Sequence, residues 1–229
     1  MGLGRSYWYE IIDVLKAIIP VYDQVNHAIS LGKDAEYRER GIRNRIQSGD
    51  LVLDAGSGYG NMSKEAVRQC NDLQIAMLDP IPEMLTRAKG EFHRKNLLVS
   101  GVFEYLPFND NTFDAVLCGY SFRDAISIRN AIAEFQRVLK ANGRLVIVDI
   151  GKPDNAFCRA GVSFYLRYII GILAFFAAGS IGLKFRAIYG TYKMLPKNSE
   201  LKRMLREKFS KVEFETRMMG GAVIGAAYK

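Results

Sequence analysis

Histidine and cysteine are scarce, with two and three in 229 residues. Cys70, Cys118 and Cys158 are odd in number, widely spaced and in no metal-ligand pattern, so neither a disulfide framework nor a metal site is expected. The same scarcity suits a reducing, intracellular compartment. No internal repeat or low-complexity linker interrupts the chain, and 49% hydrophobic with 24% charged residues is globular composition. The opening "MGLGRSYWYEIIDV" lacks an apolar run after its early arginine, so no signal peptide is expected. Gly2 followed by Ser6 satisfies only the bare N-myristoylation pattern, a short match that arises by accident.

Acid is missing from one region. Between Asn155 and Arg206 nine Lys/Arg face a single acid, Glu200, so that segment carries +8, the net charge of the whole chain. The remainder balances to zero. A basic protein suits nucleic acid, an anionic membrane or acidic small molecules. Here the charge coincides with the most apolar stretch of the chain, which favours a membrane surface. No interleaved Arg/aromatic motif of an RNA-binding module is present, and no nucleic-acid partner is expected.

What is present is an alternation. In the first fifty residues "YWYEIIDVLKAII" has helical apolar spacing, Pro20 interrupts it, and "DAEYRERGIRNRIQ" follows as a helix with a basic face. From Leu51 short apolar runs take over: "LVLDA", "QIAMLD", "NLLVSGV", "FDAVLCGYSF" and "GRLVIVDI", with helical stretches near 61–70, 82–95 and 127–140. Such alternation predicts an α/β fold, a parallel sheet with helices on both faces. The closing "KVEFETRMMGGAVIGAAYK" reads as two strands joined by a Gly-Gly turn, a terminal antiparallel hairpin.

The first of these strands ends in Asp54, and Gly56, Gly58 and Gly60 open the next helix. Absent side chains let the backbone approach a ligand, and a helix N-terminus offers free N–H groups. A dinucleotide loop has the spacing G-x-G-x-x-G. The spacing here is G-x-G-x-G, which suits a loop wrapping a ligand without a pyrophosphate. Twenty-three residues past Gly56, "AMLDP" ends the second strand in Asp79, an acid able to take both ribose hydroxyls of an adenosine. Together they favour a nucleoside-like cofactor over a bare structural turn.

"VLDAGSGYGNMS", "LDPIPEMLTRAK", "LPFNDNTFDAVLCGYSFRD", "EFQRVLKANGRLVIVDIGKP" and "GGAVIGAAYK" resemble the ubiquinone/menaquinone biosynthesis C-methyltransferases, which are class I S-adenosylmethionine (SAM) enzymes. The resemblance starts at "YDQVNHAISLGKDAEYR" and covers about nine-tenths of the chain. Its more specific pieces are Tyr22-Asp23 with Asn26, "SFRD" and "GKP". It implies a Rossmann-like class I methyltransferase fold: a seven-stranded, mostly parallel sheet with a C-terminal antiparallel hairpin, N-terminal helices and a helical lid. One domain is then expected, divided as a cap (1–50), a SAM-binding core (51–150), a lid insertion (151–208) and the hairpin (209–229).

The same resemblance implies S-adenosyl-L-methionine as cofactor. Gly56, Ser57, Gly58, Tyr59 and Gly60 would lie against its methionine part, and Asp79 and Pro80 beside the ribose. Val102 and Phe103 would meet the adenine, with Gly119 closing the site. Two departures from the family's pattern stand out: Val102 cannot hydrogen-bond the adenine amine, and Asp124 replaces an asparagine in "FRD", with Arg123 kept. Methylating a hydroquinone ring carbon needs an electron-rich ring, which loss of a phenolic proton supplies. Positioning is worth up to ~7–11 kcal/mol and a base ~10²–10⁴-fold more. Arg123, Tyr22, Asp23 and Asp124 are the catalytic candidates, with His27 a weaker one. The competing readings are a surface ion pair for Arg123 with Asp124 and helix packing for Tyr22.

"YIIGILAFFAAGSIGL", residues 168–183, holds no charge. A sixteen-residue helix spans about 24 Å, short of a ~30 Å hydrocarbon core, and its glycines weaken it, so it is not expected to cross a membrane. It reads as a buried lid helix or a homodimer interface, or else as a segment beside the active-site mouth meeting a polyprenyl tail and an anionic membrane surface. The expectation is a cytoplasmic enzyme working at the inner face of the membrane on a hydrophobic, quinone-like substrate. The rivals are methylation of another small hydrophobic molecule, or a non-catalytic SAM-binding membrane-surface protein.

Overall fold

Pro20 divides the N-terminal helices. The computed structural model, which describes residues 1–89 and 96–229, has α1 (Arg5–Ile18), a short 3₁₀ turn holding Pro20, α2 (Tyr22–Ile29) and α3 (Lys33–Ile42). Proline lacks the N–H that would continue α1. The basic-faced helix read through Gln47 stops at Ile42, because Arg43 leaves helical backbone (ψ 123°) and Asn44 is left-handed with φ 61°.

The alternating region forms β1 (Leu51–Ala55), α4 (Asn61–Gln69), β2 (Gln74–Asp79), α5 (Pro82–Lys89), β3 (Leu97–Ser100), β4 (Phe113–Gly119), α6 (Ile128–Val138) and β5 (Leu139–Ile150). The last six residues of the helix expected over 82–95 lie outside the described residues. β5 starts four residues before the expected Gly143. Phe113 pairs with Leu139, Ala115 pairs next with Arg144, and left-handed Asn142 (φ 64°) lies in the bulge between them. After β5 come α7 (Ala156–Phe164), a π-helical turn over Tyr165–Ile169, α8 (Ile170–Gly182), α9 (Ala187–Met194) and α10 (Asn198–Arg206). The antiparallel pair β6 (Lys211–Arg217) and β7 (Ala222–Tyr228) closes the chain.

The sheet order is β3-β2-β1-β4-β5-β7-β6, with β7 antiparallel between β5 and β6 and β1 to β5 parallel. Alternate residues bury opposite faces, as the period of two requires. Leu53, Leu78, Val116 and Ile147 join the core on one side, and Val52, Met77, Leu117 and Val148 the core on the other. The hairpin turn begins before the Gly-Gly pair: it spans Met218–Gly221, with Met218 and Met219 both left-handed (φ 50° and 54°).

The apolar segment is not the fully buried lid helix that was one of its expected forms. Its helix starts at Ala156, twelve residues before Tyr168, and continues through the π turn to a break at Ala178 and Gly179 (φ 63°). Past the break the chain folds back, so that Gly182 lies against the Ala174 carbonyl where no side chain would fit. By length and composition alone the run Ala156–Met194 could cross a membrane. Instead Leu166, Ile170 and Ala174 are built into the main core, and Gln24 Nε2 of α2 donates to Ala177 O at 2.7 Å. The opposite face is exposed, so the segment is neither a fully buried lid nor a free helix.

Candidate active site

Strand order reverses between β1 and β4, and at such a switch point the carboxyl ends of neighbouring strands open a crevice. Three strands carry an acid at or next to their carboxyl ends there: Asp79 is the last residue of β2, and Asp54 and Asp149 are next to last in β1 and β5. Gly56, Gly58 and Gly60 are all left-handed, and Gly60 caps α4. The glycines differ in purpose. A Cβ on Gly56 would sit 2.6 Å from Ser121 Cβ and 2.7 Å from Phe103 Cζ, so protein packing demands that glycine. A Cβ on Gly58 would meet nothing nearer than Met84 Sδ at 4.0 Å, so space for a ligand opens there.

Asp79 is buried beside this loop. Its Oδ2 accepts from Gly58 N–H at 2.8 Å and its Oδ1 from Ile81 N–H at 2.9 Å, leaving each oxygen further acceptor capacity. Burial pushes this carboxyl up to about 6 against those hydrogen bonds. Pro80, Ile81, Met84, Val102 and Phe103 complete the walls of the cleft. Ser57 Oγ and Asp54 Oδ1 are buried without a partner, the kind of group a polar ligand satisfies. From above, Trp8, Ile12 and Leu15 of α1 cover the cleft, spaced along one helix face. They leave about 60 Å³ free. That is less than the space a small-molecule site usually offers.

Tyr120 links this cleft to a second space. Tyr120, held left-handed (φ 56°), lines both the cleft and a cavity of about 420 Å³ walled mainly by apolar side chains of α2, α7, the π turn and α9. Arg38 lies over the Tyr120 ring at 4.9 Å and is tied to Asp34 at 2.7 Å. Asn26, Arg38, Arg123 and Asp149 gather the polarity of the cavity. Tyr22 and Asp124 line the cleft, and a small void brings them together with Asn26 and Arg123. Tyr120 is therefore common to both spaces, and the small void joins Asn26 and Arg123 of the cavity to Tyr22 and Asp124 of the cleft.

The competing reading of Arg123 with Asp124 as a surface ion pair does not hold, because Arg123 is buried and Asp124 largely so. Arg123 is 6% exposed, and its Nη1 donates to Asp149 Oδ1 at 2.9 Å and to Tyr120 O. Asp149 Oδ2 accepts from the Arg123 N–H at 3.0 Å, which locks the whole residue. Arg123 Nε, 3.7 Å from Asp124 Oδ1, has no hydrogen-bond partner. Burial opposes the guanidinium's charge, but Asp124 and Asp149 outweigh it and hold the proton more firmly than usual. At Asp124 burial dominates, Arg123 only partly offsets it, and the carboxyl rises to about 6. Burial likewise raises the Tyr22 hydroxyl, with Arg123 pulling it back.

Other candidates lie outside this constellation. Asp23 is exposed and accepts from Asn61 Nδ2 at 2.9 Å. His27 is exposed, 3.3 Å from Asp34 Oδ1. Tyr59 packs beneath α1, with its hydroxyl on Ile19 O and its ring under Arg87. At Gly119 the missing side chain makes room for Met62, so that glycine serves packing. Sequence reasoning missed Asp149, Tyr120 and the α1 cover. Asp149 had a readable signal: like Asp54, it is the next-to-last residue of an apolar strand, and Asp79 closes another.

The comparisons agree with this geometry. Residues 5–229 match the model of the ubiE/COQ5 methyltransferase family. A demethylmenaquinone methyltransferase of Oceanobacillus iheyensis is 29% identical over 100% of this chain and 99% of its own length. A 2-phytyl-1,4-naphtoquinone methyltransferase of Nostoc sp. is 32% identical over 70% of this chain and 73% of its own. Among solved structures, an S-adenosyl-L-methionine-dependent methyltransferase of Methanococcus maripaludis aligns with a TM-score of 0.63 at 19% identity, over 93% of this chain and 91% of that one. A SAM-dependent methyltransferase of Aquifex aeolicus aligns at 0.57 and 17% identity, over 83% and 88%. These likenesses give the class I methyltransferase fold. The chain belongs to the ubiE/COQ5 methyltransferase family, and it is an enzyme whose cofactor is S-adenosyl-L-methionine.

Proposed function

We propose that this enzyme methylates a ring carbon of a polyprenyl hydroquinone of demethylmenaquinone type. The observation that carries the reading is the buried Arg123, whose Nε is unpartnered and which lines both the apolar cavity of about 420 Å³ and the small void shared with Tyr22 and Asp124 of the cleft. That volume falls within the range of small-molecule sites and suits a bicyclic ring with the first units of an isoprenoid tail. The relatives' names support a naphthoquinone ring: demethylmenaquinone and 2-phytyl-1,4-naphtoquinone share it.

When bound, S-adenosyl-L-methionine supplies a methyl group already activated on a sulfonium. Gly58, Ser57 and Asp79 would hold it, with Trp8, Ile12 and Leu15 excluding water above. The remaining task is to make the acceptor carbon electron-rich. Arg123 cannot act as a base, because its charge is held by Asp149 and Asp124. Its Nε can donate to a phenolic oxygen and lower that phenol's pKa. Asp124, with a carboxyl near 6, is ionised at neutral pH and basic enough to take the phenolic proton, directly or through a water. Tyr22 and Tyr120 shape the passage between the two spaces, and Tyr22's raised hydroxyl stays protonated as a donor.

The test compares a short-tailed demethylnaphthoquinone with and without reductant, in the presence of the cofactor. The reduced ring is expected to gain a carbon-bound methyl, and the oxidised ring, which has no phenolic proton to lose, none. Equal methylation of both forms, or an O-methyl ether as product, would overturn the reading.

A further inference from the structure

The exposed face of α7 and α8 carries a stripe of large apolar side chains. Phe157 is 86% and Phe176 82% exposed, and between them stand exposed Phe164, Tyr168, Ile172 and Phe175. Phe157, Phe164, Tyr168, Ile172 and Phe175 are seven, four, four and three residues apart, close to the helical period, and Phe176 lies four past Ile172, so they share one side of the helix. The buried side chains of the same run, Leu166, Ile170 and Ala174, face the core. Water-facing stripes of this kind mark an interaction surface rather than an unfinished core.

Two observations say what covers it. The first is charge. The segment Asn155–Arg206 holds nine basic residues and one acid, the entire net charge of the chain. Some of that charge lies against the stripe: the Arg167 guanidinium is 5.2 Å from the ring of Tyr168 and 5.9 Å from that of Tyr189, and Lys193 is 5.4 Å from the Tyr189 ring. A second copy of this chain would bring the same positive charge to the contact. An anionic surface would not.

The second is continuity with the cavity. Among the residues lining the 420 Å³ space, Leu31, Phe164, Met218 and Met219 are exposed, so they mark its mouth. Phe164 belongs to the stripe as well. Met218 and Met219 reach that rim from the β6–β7 turn, where both are left-handed. The mouth and the stripe form one apolar surface beside fixed positive charge.

We propose that this surface docks on a bilayer containing anionic lipid, with the aromatic stripe in the headgroup boundary and the cavity mouth opening onto the acyl chains. A lipid-borne ligand could then enter past Phe164 and Met219 without crossing water, while the cofactor cleft is reached from the aqueous side. Docking does not depend on which ring the enzyme methylates, and it is read without substrate.

The test uses the full chain and vesicles of phosphatidylcholine, with or without phosphatidylglycerol. The protein should co-sediment with the anionic vesicles and be released by added salt. Each basic residue near such a surface is worth about fivefold in partitioning, so reversing Arg167 and Lys193 together to glutamate should lower it by at least ~20-fold. Phe157→Ser with Phe176→Ser should weaken it about tenfold without moving the melting temperature, since both rings are outside the core. Phe176→Trp should shift its emission to the blue on anionic vesicles. Equal binding to both vesicle types would remove the electrostatic basis of the proposal. A concentration-dependent dimer dissolved by the two serine substitutions, with no vesicle binding, would assign the face to a second copy and overturn it.

Discussion

Replacing Asp124 by asparagine should make the protein more stable and nearly inactive at the same time. Asparagine preserves the shape of the side chain and removes its charge. In the fold that carboxyl is raised from 3.8 to about 6, chiefly by burial and against the pull of Arg123. At 1.36 kcal/mol per pH unit, ionising it in the folded state costs about 3 kcal/mol relative to the unfolded chain. The sign follows from proton binding. Below about pH 4 both states are protonated and the carboxyl imposes no penalty. Between about pH 4 and 6 the folded state holds its proton more tightly, so wild-type stability falls as pH rises. Above about pH 6 the full penalty is present. The variant loses Arg123's neighbour at 3.7 Å but keeps the Asp149 bond at 2.9 Å. Urea unfolding should therefore show the two proteins diverging from pH 4 to 6, with Asp124→Asn more stable by up to about 3 kcal/mol at pH 8. Turnover on a soluble reduced acceptor should fall ~10²–10⁴-fold, with cofactor affinity changed little. Equal stability at pH 8, or turnover within threefold of wild type, would refute the picture of a strained, catalytic carboxylate.

Two further outcomes concern the cofactor cleft. Burial places the Asp79 carboxyl near 6, so cofactor affinity should weaken as pH falls through that value; Asp79→Asn should lose about 1–3 kcal/mol of binding and flatten the profile, read by calorimetry or by the fluorescence of Trp8, the single tryptophan, which lines the cleft. Gly56→Ala should destabilise the fold by about 2–4 kcal/mol, through left-handed strain and the clash with Ser121 and Phe103. Gly58→Ala should cost only the strain, about 1–2 kcal/mol, yet abolish cofactor binding because its methyl enters the open space. Equal effects of the two alanines on folding would contradict the division of labour between these glycines.

The parts of the fold set by local chemistry were legible in the chain. Short apolar runs gave the strands, Pro20 gave the break after α1, and the G-x-G-x-G spacing gave the loop at the end of β1. The Arg123–Asp149 bond was not legible, because it joins residues 26 positions apart that only the pairing of β4 with β5 brings together. Asp23 and Tyr22 are adjacent in sequence, yet α2 turns one toward Asn61 at the surface and the other into the site. The long helix after β5 was underestimated for a related reason. Arg159 and Arg167 interrupt the apolar run in sequence, but a charge on an outward face does not stop a helix. What ends it is Gly179, whose left-handed backbone the glycine permits. The cover that α1 forms over the cleft left no local trace, since Trp8, Ile12 and Leu15 have the same spacing they would have against any core.

The most direct measurement is the quinone content of cells lacking this protein, complemented with the wild type or with Asp124→Asn. The account predicts that the deletion strain accumulates a polyprenyl quinone lacking one ring methyl, that the wild type restores the methylated form, and that Asp124→Asn, although folded, does not. An unchanged quinone pool in the deletion strain would contradict it.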